Sequence, residues 1–258
     1  MNAGLFLACA AIVAAAGLNA VPAEATTAKA HAAKAKVRDW SLVVSPTAEG
    51  GFVMGNPNAK VKLIEYGSMT CPHCAHFDEE ATPALINEFV KTGDVSFEFR
   101  NFVRDAMDVS ASLVARCGGA KRFFPVTRAM FKDQKSWEKK IASAPQEQLS
   151  KLDELPNGKK FLAAAKVAGL QQWAVAHGIP VAKSAQCLTN EKSIDQLVQM
   201  ASDTTTKFPA FQGTPSFVIN GTLVDFGQIT AAEVWPTLEA QIKSAVDGQQ
   251  ATSSTNGA

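Results

Sequence analysis

The pattern of apolar and polar positions predicts strands on either side of a long helical middle. Val61 to Tyr66 and Val95 to Phe102 have the length and the β-branched or aromatic content of strands. Between them, Pro72 to Lys91 carries large apolar side chains at helical spacing. Near the C-terminus, Ser216 to Ile219 and Thr222 to Phe226 flank an Asn-Gly pair, the strongest short-range hairpin signal. We therefore predict a strand-helix-strand unit and a later hairpin.

The residues between these strands, about 105–207, show no convincing strand and are punctuated by four prolines. Helical periodicity is present in five segments: Met107 to Cys117, Lys121 to Asp133, Ser136 to Ile141, Gly158 to His177 and Asn190 to Thr206. A closing helix is predicted from about Thr230 to Val246. This order predicts an α/β protein in which the two ends share one sheet and the middle forms a helical cap.

The first 25 residues have the pattern of a signal peptide. Gly4 to Leu18 is an unbroken run of apolar and small residues, and Ala23 and Ala25 complete an A-x-A cleavage site. The run is shorter than the roughly 20 residues that a membrane-spanning helix needs, so a permanent anchor is the weaker alternative. Met1 and Asn2 supply no positive charge, which is atypical of a leader. We expect export, with cleavage after Ala25.

Both ends of the remaining chain are small and polar, which is typical of exposed tails. The predicted organisation is a signal peptide at 1–25, a flexible N-terminal tail at 26–39, the first part of the sheet domain at 40–104, an inserted helical subdomain at 105–207, the second part of the sheet domain at 208–247, and a disordered tail at 248–258.

Composition narrows the class of protein. Of the 258 residues, 47% are hydrophobic and 19% are charged, which excludes a disordered or fibrous chain. The formal charge of +1 gives no reason to expect nucleic acid as a partner. There are five cysteines. Removal of the leader would discard Cys9 and leave an even set of four.

Two of these cysteines form a C-x-x-C motif, Cys71-Pro72-His73-Cys74, directly after a predicted strand and at the start of a helix. At the N-cap, unpaired N–H groups and the helix dipole would stabilise the Cys71 thiolate and depress its pKa. Pro72 suits the first helical turn because no N–H is needed there. Cys71 is therefore the predicted attackable sulfur and Cys74 the resolving one.

His73 would favour the thiolate of Cys71, and so the dithiol form over the disulfide, which is the property of a strong oxidant. Glu65, six residues before Cys71, would lie under the active site by strand alternation and tune the pKa of Cys74 or relay its proton. The alternative for Glu65 is a solvent-facing position on the strand.

The alternative for the C-x-x-C segment is a metal site built from the two cysteines, His73 and His76. A closed four-ligand zinc shell is hard to build from barely one helical turn, so we predict no metal.

The segments Glu65 to Cys74 (EYGSMTCPHC) and Gly213 to Phe217 (GTPSF) together resemble the DsbA-like thiol:disulfide oxidoreductases of the thioredoxin superfamily. The resemblance covers most of the chain and implies a thioredoxin fold with an inserted helical subdomain. It also implies a cis peptide bond at Pro215, a substrate-binding backbone edge at Thr214, an acidic residue at Glu65, and no cofactor. A quinone-linked membrane protein would be the redox partner.

Cys117 and Cys187 both lie in the predicted helical subdomain. In an oxidising compartment they most simply form a structural disulfide, although two buried free thiols or a second redox pair remain alternatives. Some DsbA-like proteins carry a second bond in this region.

The resulting prediction is a periplasmic, monomeric oxidoreductase that introduces disulfide bonds into reduced exported proteins. Thr214 stands where the best-known oxidases carry Val and isomerases often carry Thr. A disulfide isomerase or reductase of the same fold therefore remains the first alternative. A non-catalytic metal-binding protein is the second.

Overall fold

The computed structural model describes residues 38–255, and the side chains of residues 38–248. The predicted signal peptide, Cys9 and most of the predicted N-terminal tail lie outside the described residues. Within the described range, no helix has the length and apolar character needed to cross a membrane.

Six strands form one mixed sheet in the order β1-β2-β4-β3-β5-β6. They are β1 (Val44–Pro46), β2 (Phe52–Gly55), β3 (Val61–Gly67), β4 (Val95–Asn101), β5 (Ser216–Ile219) and β6 (Thr222–Leu223). The central pair, β3 and β4, is parallel, and every other neighbouring pair is antiparallel. A parallel pair requires a crossover connection, which here is the helical segment between β3 and β4.

Eleven α-helices occur in the described residues. They are α1 (Pro72–Glu80), α2 (Thr82–Ala84), α3 (Ala106–Arg116), α4 (Ala120–Lys132), α5 (Gln134–Ala142), α6 (Gln146–Asp153), α7 (Asn157–Val167), α8 (Leu170–Ala176), α9 (Val181–Leu188), α10 (Glu191–Lys207) and α11 (Ala231–Thr255). A 3-10 turn covers Trp40–Leu42 and a π-helical segment covers Leu85–Val90.

This architecture confirms the predicted fold class, a thioredoxin fold with an inserted helical subdomain. The helices α3 to α10 lie between β4 and β5, and the strands on either side of them share the sheet. The Asn-Gly hairpin is also confirmed: Asn220 and Gly221 have φ angles of 50° and 88°, the left-handed conformation that these residues adopt most readily.

Some predicted elements differ from the observed ones. Strands β1 and β2 were not predicted, because they are only three and four residues long, β1 ends at Pro46, and Gly50 and Gly51 separate the two. Helices α6 and α9 were also missed. The predicted helix from Gly158 to His177 is two helices, since Gly169 adopts a left-handed φ of 68° between α7 and α8.

Two helix ends also need correction. The predicted helix from Pro72 to Lys91 breaks after Glu80, because Pro83 cannot donate a backbone hydrogen bond; α2 and the π-helical segment follow. Helix α11 continues to Thr255, eight residues into the segment predicted to be a disordered tail. This segment contains no proline, and Gly248 alone does not end the helix.

Aromatic packing joins the inserted helices to the sheet. Phe123 of α4 stacks on Phe52 of β2, with ring centroids 4.2 Å apart, and also contacts Phe99 of β4. Phe77 of α1 packs between Phe217 of β5 and Trp235 of α11. Truncating a buried phenylalanine to alanine typically costs about 3–5 kcal/mol. This packing therefore holds the insertion and α1 in fixed positions relative to the sheet.

Candidate active site

The C-x-x-C motif lies where β3 ends and α1 begins. Cys71 is the N-cap residue, with extended backbone angles, and Pro72 occupies the first helical position. Both cysteines are free thiols. Cys74 is completely buried and Cys71 is 3% exposed, whereas Pro72 and His73 are exposed. Cys71 is thus the member of the pair nearer to the protein surface.

The surroundings of Cys71 lower the pKa of its thiol to about 5. The largest contribution is a hydrogen bond from the Cys74 thiol, and burial opposes it. The hydroxyl of Thr214 and the backbone N–H groups of Cys74 and His73 lower the pKa further. These N–H groups belong to the first turn of α1, where backbone N–H groups have no partner within the helix. At neutral pH, Cys71 is therefore a thiolate.

The environment has the opposite effect on Cys74. Burial raises the pKa of the Cys74 thiol well above its usual value, and the hydrogen bond to Cys71 and the charges of Cys71 and Glu65 add to this shift. Cys74 therefore keeps its proton when Cys71 has lost its own. Two cysteines three residues apart consequently differ in protonation state, and this difference assigns them different chemical roles.

Glu65 lies on β3 and is 3% exposed. Burial is the main cause that raises the pKa of its carboxyl, and the charges of Asp78 and Cys71 raise it further. Glu65 is thus a buried acid whose charge is felt by Cys74. Its predicted role in proton transfer remains a prediction.

The loop before β5 faces the active-site pair. The Thr214-Pro215 peptide bond is cis. The Cys71 sulfur lies 3.1 Å from the carbonyl oxygen of Thr214, to which the thiol donates a hydrogen bond when it is protonated. The structure therefore brings together residues that are 143 positions apart in the sequence.

His73 acts on Cys71 through its backbone N–H. Among the hydrogen bonds of the described residues, none joins the His73 ring to the Cys71 sulfur, so the predicted effect of the imidazole stays a prediction. Within residues 38–255, no group of three or more His, Cys, Asp or Glu side chains is arranged to hold a metal ion.

Two cavities flank α1. One, of about 460 Å³, lies beside the cis-proline loop and is lined by His73, Phe77, Thr214, Pro215, Phe226 and Trp235. The other, of about 890 Å³, lies between α1 and α4 and is lined by Pro72, His76, Asp78, Phe124, Arg128 and Lys135. An ion pair joins Asp78 to Arg128 at 3.4 Å in the larger cavity. Both surfaces adjoin the active-site helix.

Three polar residues near the active site were not predicted from the sequence: Arg104, Asp108 and Gln134. All three make hydrogen bonds to the residues that lead into Cys71. Asp108 lies in the first turn of a predicted helix, where acidic residues are common, so its local sequence does not indicate these partners. Gln134 carried no signal either, since its partners are more than 60 residues away.

Cys117 and Cys187 lie away from this site and form a disulfide with a Cα–Cα distance of 5.7 Å. Cys117 ends α3 and Cys187 is in α9, so the bond joins two helices of the insertion. Neither of them forms a disulfide with Cys71 or Cys74.

Comparison with known proteins assigns the chain to a family. A family model described as thioredoxin matches residues 47–243. This chain belongs to the thioredoxin family. Within it the chain is DsbA-like, and it is similar to the crystal structure of a protein-disulfide isomerase from Novosphingobium aromaticivorans. The two are 30% identical, with a TM-score of 0.68 over 74% of this chain and 96% of that one.

Two further relatives of this thioredoxin-family chain extend the comparison. Wolbachia pipientis α-DsbA1 is 22% identical, with a TM-score of 0.61 over 80% of this chain and 96% of that one, and shows the shared fold. A Rickettsia bellii protein named as a protein-disulfide oxidoreductase is 28% identical over 174 residues, 67% of this chain. The match spans only 58% of that relative's length.

Proposed function

We propose that this protein is an exported thiol:disulfide oxidoreductase that introduces disulfide bonds into reduced proteins through Cys71 and Cys74. The observation that carries the proposal is the difference in protonation between the two sulfurs. Cys71 has a pKa lowered to about 5, whereas the pKa of Cys74 is raised. A thiol with a low pKa is a good leaving group in thiol–disulfide exchange.

The proposed reaction starts from the Cys71–Cys74 disulfide. A substrate thiolate attacks the Cys71 sulfur, the bond between Cys71 and Cys74 breaks, and Cys74 leaves and takes up a proton. The second substrate thiol then loses its proton and attacks the substrate sulfur bonded to Cys71, which releases the Cys71 thiolate. Two substrate thiols are oxidised to one disulfide, and the two electrons remain in the reduced active-site pair.

The low pKa of Cys71 also sets the direction of the reaction. Stabilising the Cys71 thiolate stabilises the dithiol form relative to the disulfide, which makes the disulfide form the stronger oxidant. The hydrogen bonds from Cys74 and Thr214 and the helix N-terminus all act in this direction. Oxidation of substrates is therefore favoured over their reduction.

The leader-like N-terminus and the Cys117–Cys187 bond support a periplasmic location, because disulfides persist in oxidising compartments. A membrane protein linked to quinones would return the active-site pair to its disulfide form, as the family resemblance implies. We propose that the mature protein acts as a monomer on exported substrates.

Isomerisation is the second candidate function, and Thr214 favours it. This residue contacts Cys71 directly, and the similar protein from Novosphingobium aromaticivorans is described as a protein-disulfide isomerase. An isomerase needs the reduced pair to attack wrong disulfides, for which a thiolate at Cys71 is equally suited.

The test is oxidation of a reduced peptide that contains two cysteines. We expect rapid peptide oxidation by the oxidised wild type and none above background by Cys71→Ala. Equal rates for the two proteins would overturn the proposal.

Reactivation of a protein with scrambled disulfides, measured in parallel with reduced enzyme, distinguishes the oxidase from the isomerase. Reactivation faster than peptide oxidation, together with a stable dimer in sedimentation, would favour the isomerase.

A further inference from the structure

The residues between β3 and Cys71 are held by a buried carboxylate of the helical insertion. Asp108 of α3 is completely buried. Its Oδ1 atom accepts a hydrogen bond from the backbone N–H of Met69 at 2.8 Å, and its Oδ2 atom accepts one from the Ser68 hydroxyl at 2.6 Å. Ser68 and Met69 are themselves completely buried. Both oxygens of Asp108 thus bind the segment that leads into the active-site cysteine.

Arg104 extends this contact toward Cys71. Its Nε atom donates to the Ser68 hydroxyl oxygen at 3.0 Å, and a terminal guanidinium nitrogen donates to the Thr70 hydroxyl at 2.7 Å. The backbone N–H of Arg104 donates to Asp108 Oδ2 at 3.1 Å, and its guanidinium lies 4.0 Å from the same oxygen. Asp108, Arg104 and Ser68 therefore form one connected network.

Gln134 at the start of α5 holds the other side of the same segment. Its side-chain amide donates to the carbonyl oxygens of Met69 at 2.7 Å and of Cys71 at 3.1 Å. The Cys71 N–H donates to the Ser68 carbonyl at 3.1 Å and closes a turn. Both backbone groups of Met69 are consequently bound by side chains from the insertion.

The position of this segment controls the position of the Cys71 sulfur. The groups that stabilise the thiolate are the Cys74 thiol, the Thr214 hydroxyl and two backbone N–H groups, all on other elements or later in α1. Hydrogen bonds weaken steeply with distance and angle. A small shift of the segment would therefore weaken several of them together and destabilise the thiolate.

We propose that Asp108 is a positioning residue: its buried carboxyl group, linked to Arg104 and supported by Gln134, holds Ser68 to Thr70 so that the Cys71 thiolate stays in contact with the groups that stabilise it. The insertion thereby contributes to the chemistry of Cys71 as well as covering the sheet domain. The consequence for turnover rests on the proposed function, whereas the consequence for the Cys71 thiolate does not.

The test compares Asp108→Asn with Asp105→Asn. Asp105 is exposed, caps α3 through hydrogen bonds to the N–H groups of Met107 and Asp108, and does not contact Ser68 to Thr70. Asparagine is as good an N-cap as aspartate, so the control makes the same chemical change on the same helix. The readout is the pKa of Cys71 in the reduced protein, from thiolate absorbance near 240 nm.

We expect Asp108→Asn to raise the Cys71 pKa by about one unit, a tenfold change in the thiol dissociation constant, and Asp105→Asn to leave it unchanged. Ser68→Ala removes only the hydroxyl link and should produce a smaller shift in the same direction, which keeps the test valid if Asp108→Asn does not fold. A Cys71 pKa equal to that of the wild type in folded Asp108→Asn and in Ser68→Ala would overturn the proposal.

Loss of thermal stability without a change in this pKa would show a purely structural role and would also overturn the proposal. If the wild type failed to oxidise peptides while its Cys71 pKa was low and was raised by Asp108→Asn, the proposed function would fall. The positioning role would stand in that case.

Discussion

The four cysteines in the described residues form two pairs that differ in almost every respect. The active-site pair, Cys71 and Cys74, lies within one turn of one helix, is reduced, and has two sulfurs of opposite pKa shift. The distal pair, Cys117 and Cys187, is 70 residues apart, is bonded, and joins two helices of the insertion. The amino acid is the same in both pairs, so the surroundings determine whether it serves exchange or stability.

The difference lies in what surrounds each sulfur. Around Cys71 there are hydrogen-bond donors that stabilise negative charge, and a partner sulfur that retains its proton. The distal pair instead closes a long loop, and a closed loop restricts the unfolded chain. Each of the following predictions tests one side of this comparison, from the largest expected effect to the smallest.

Replacing Cys71 should abolish the reaction, whereas removing the distal pair should not. We expect Cys71→Ser to lower the rate of peptide oxidation by about a thousandfold or more, since it removes the attacked sulfur. The double variant Cys117→Ala/Cys187→Ala should retain the rate to within about twofold, because neither residue contacts the active site. Stopped-flow oxidation of a reduced peptide measures both. A comparable loss in the double variant would remove the functional distinction between the pairs.

The same double variant should lose stability. The chain-entropy estimate for a loop of this length predicts a decrease of about 4 kcal/mol in the free energy of unfolding. Urea unfolding of the double variant and the wild type, both with the active-site pair reduced, measures the difference. Unchanged stability would mean that the distal bond does not stabilise the fold.

The stability of the reduced protein should depend on pH through Cys71. Its pKa is about 5 in the folded protein, whereas a free thiol in the unfolded chain has a pKa of about 8.5. Because the folded pKa is depressed, the stabilisation is fully present above the unfolded pKa and is lost as pH falls through the folded pKa. We expect the difference in unfolding free energy between wild type and Cys71→Ser to grow by about 3 kcal/mol from pH 5 to pH 8. A difference that does not change with pH would show that Cys71 has an ordinary pKa.

A variant of Glu65 tests the other half of the difference between the two active-site sulfurs, which is the protonation of Cys74. During reoxidation Cys74 must lose its proton to attack a mixed disulfide at Cys71, and Glu65 is the buried acid proposed to accept that proton, since burial raises the pKa of its carboxyl. We expect Glu65→Gln to slow reoxidation by oxidised glutathione about tenfold in single-turnover measurements, a modest loss for a general base. Glu88→Gln, at an exposed position outside the site, is the control. Equal rates in the two variants would leave Cys74 without help from Glu65.

The predicted parts of the fold are those with strong local signals. The Asn220-Gly221 turn, the central strands β3 and β4 and the start of α1 at Pro72 each follow from adjacent residues. Strands β1 and β2 form only because they pair with each other and with β4, and such short strands leave little periodicity to detect. Pro83 lies in a segment whose apolar spacing is otherwise helical, so the spacing alone predicts one helix where the structure has a break.

The residues of the active site also divide into those that the local sequence indicates and those that it does not. Cys71, Pro72 and Cys74 are adjacent in the sequence, and their placement at a helix start is enough to indicate their chemistry. Asp108, Arg104 and Gln134 contact the same segment from 34 to 65 residues away. Nothing in their local sequence indicates those partners, because the contacts depend on how the insertion packs on the sheet.

The pKa of Cys71 is the most direct test of this account. Thiolate absorbance near 240 nm, measured during a pH titration of the reduced protein, reports the fraction of Cys71 that is ionised, and Cys71→Ser provides the baseline. The account predicts a transition near pH 5 that is absent from the variant. A transition near the value of a free thiol, about 8.5, would contradict it.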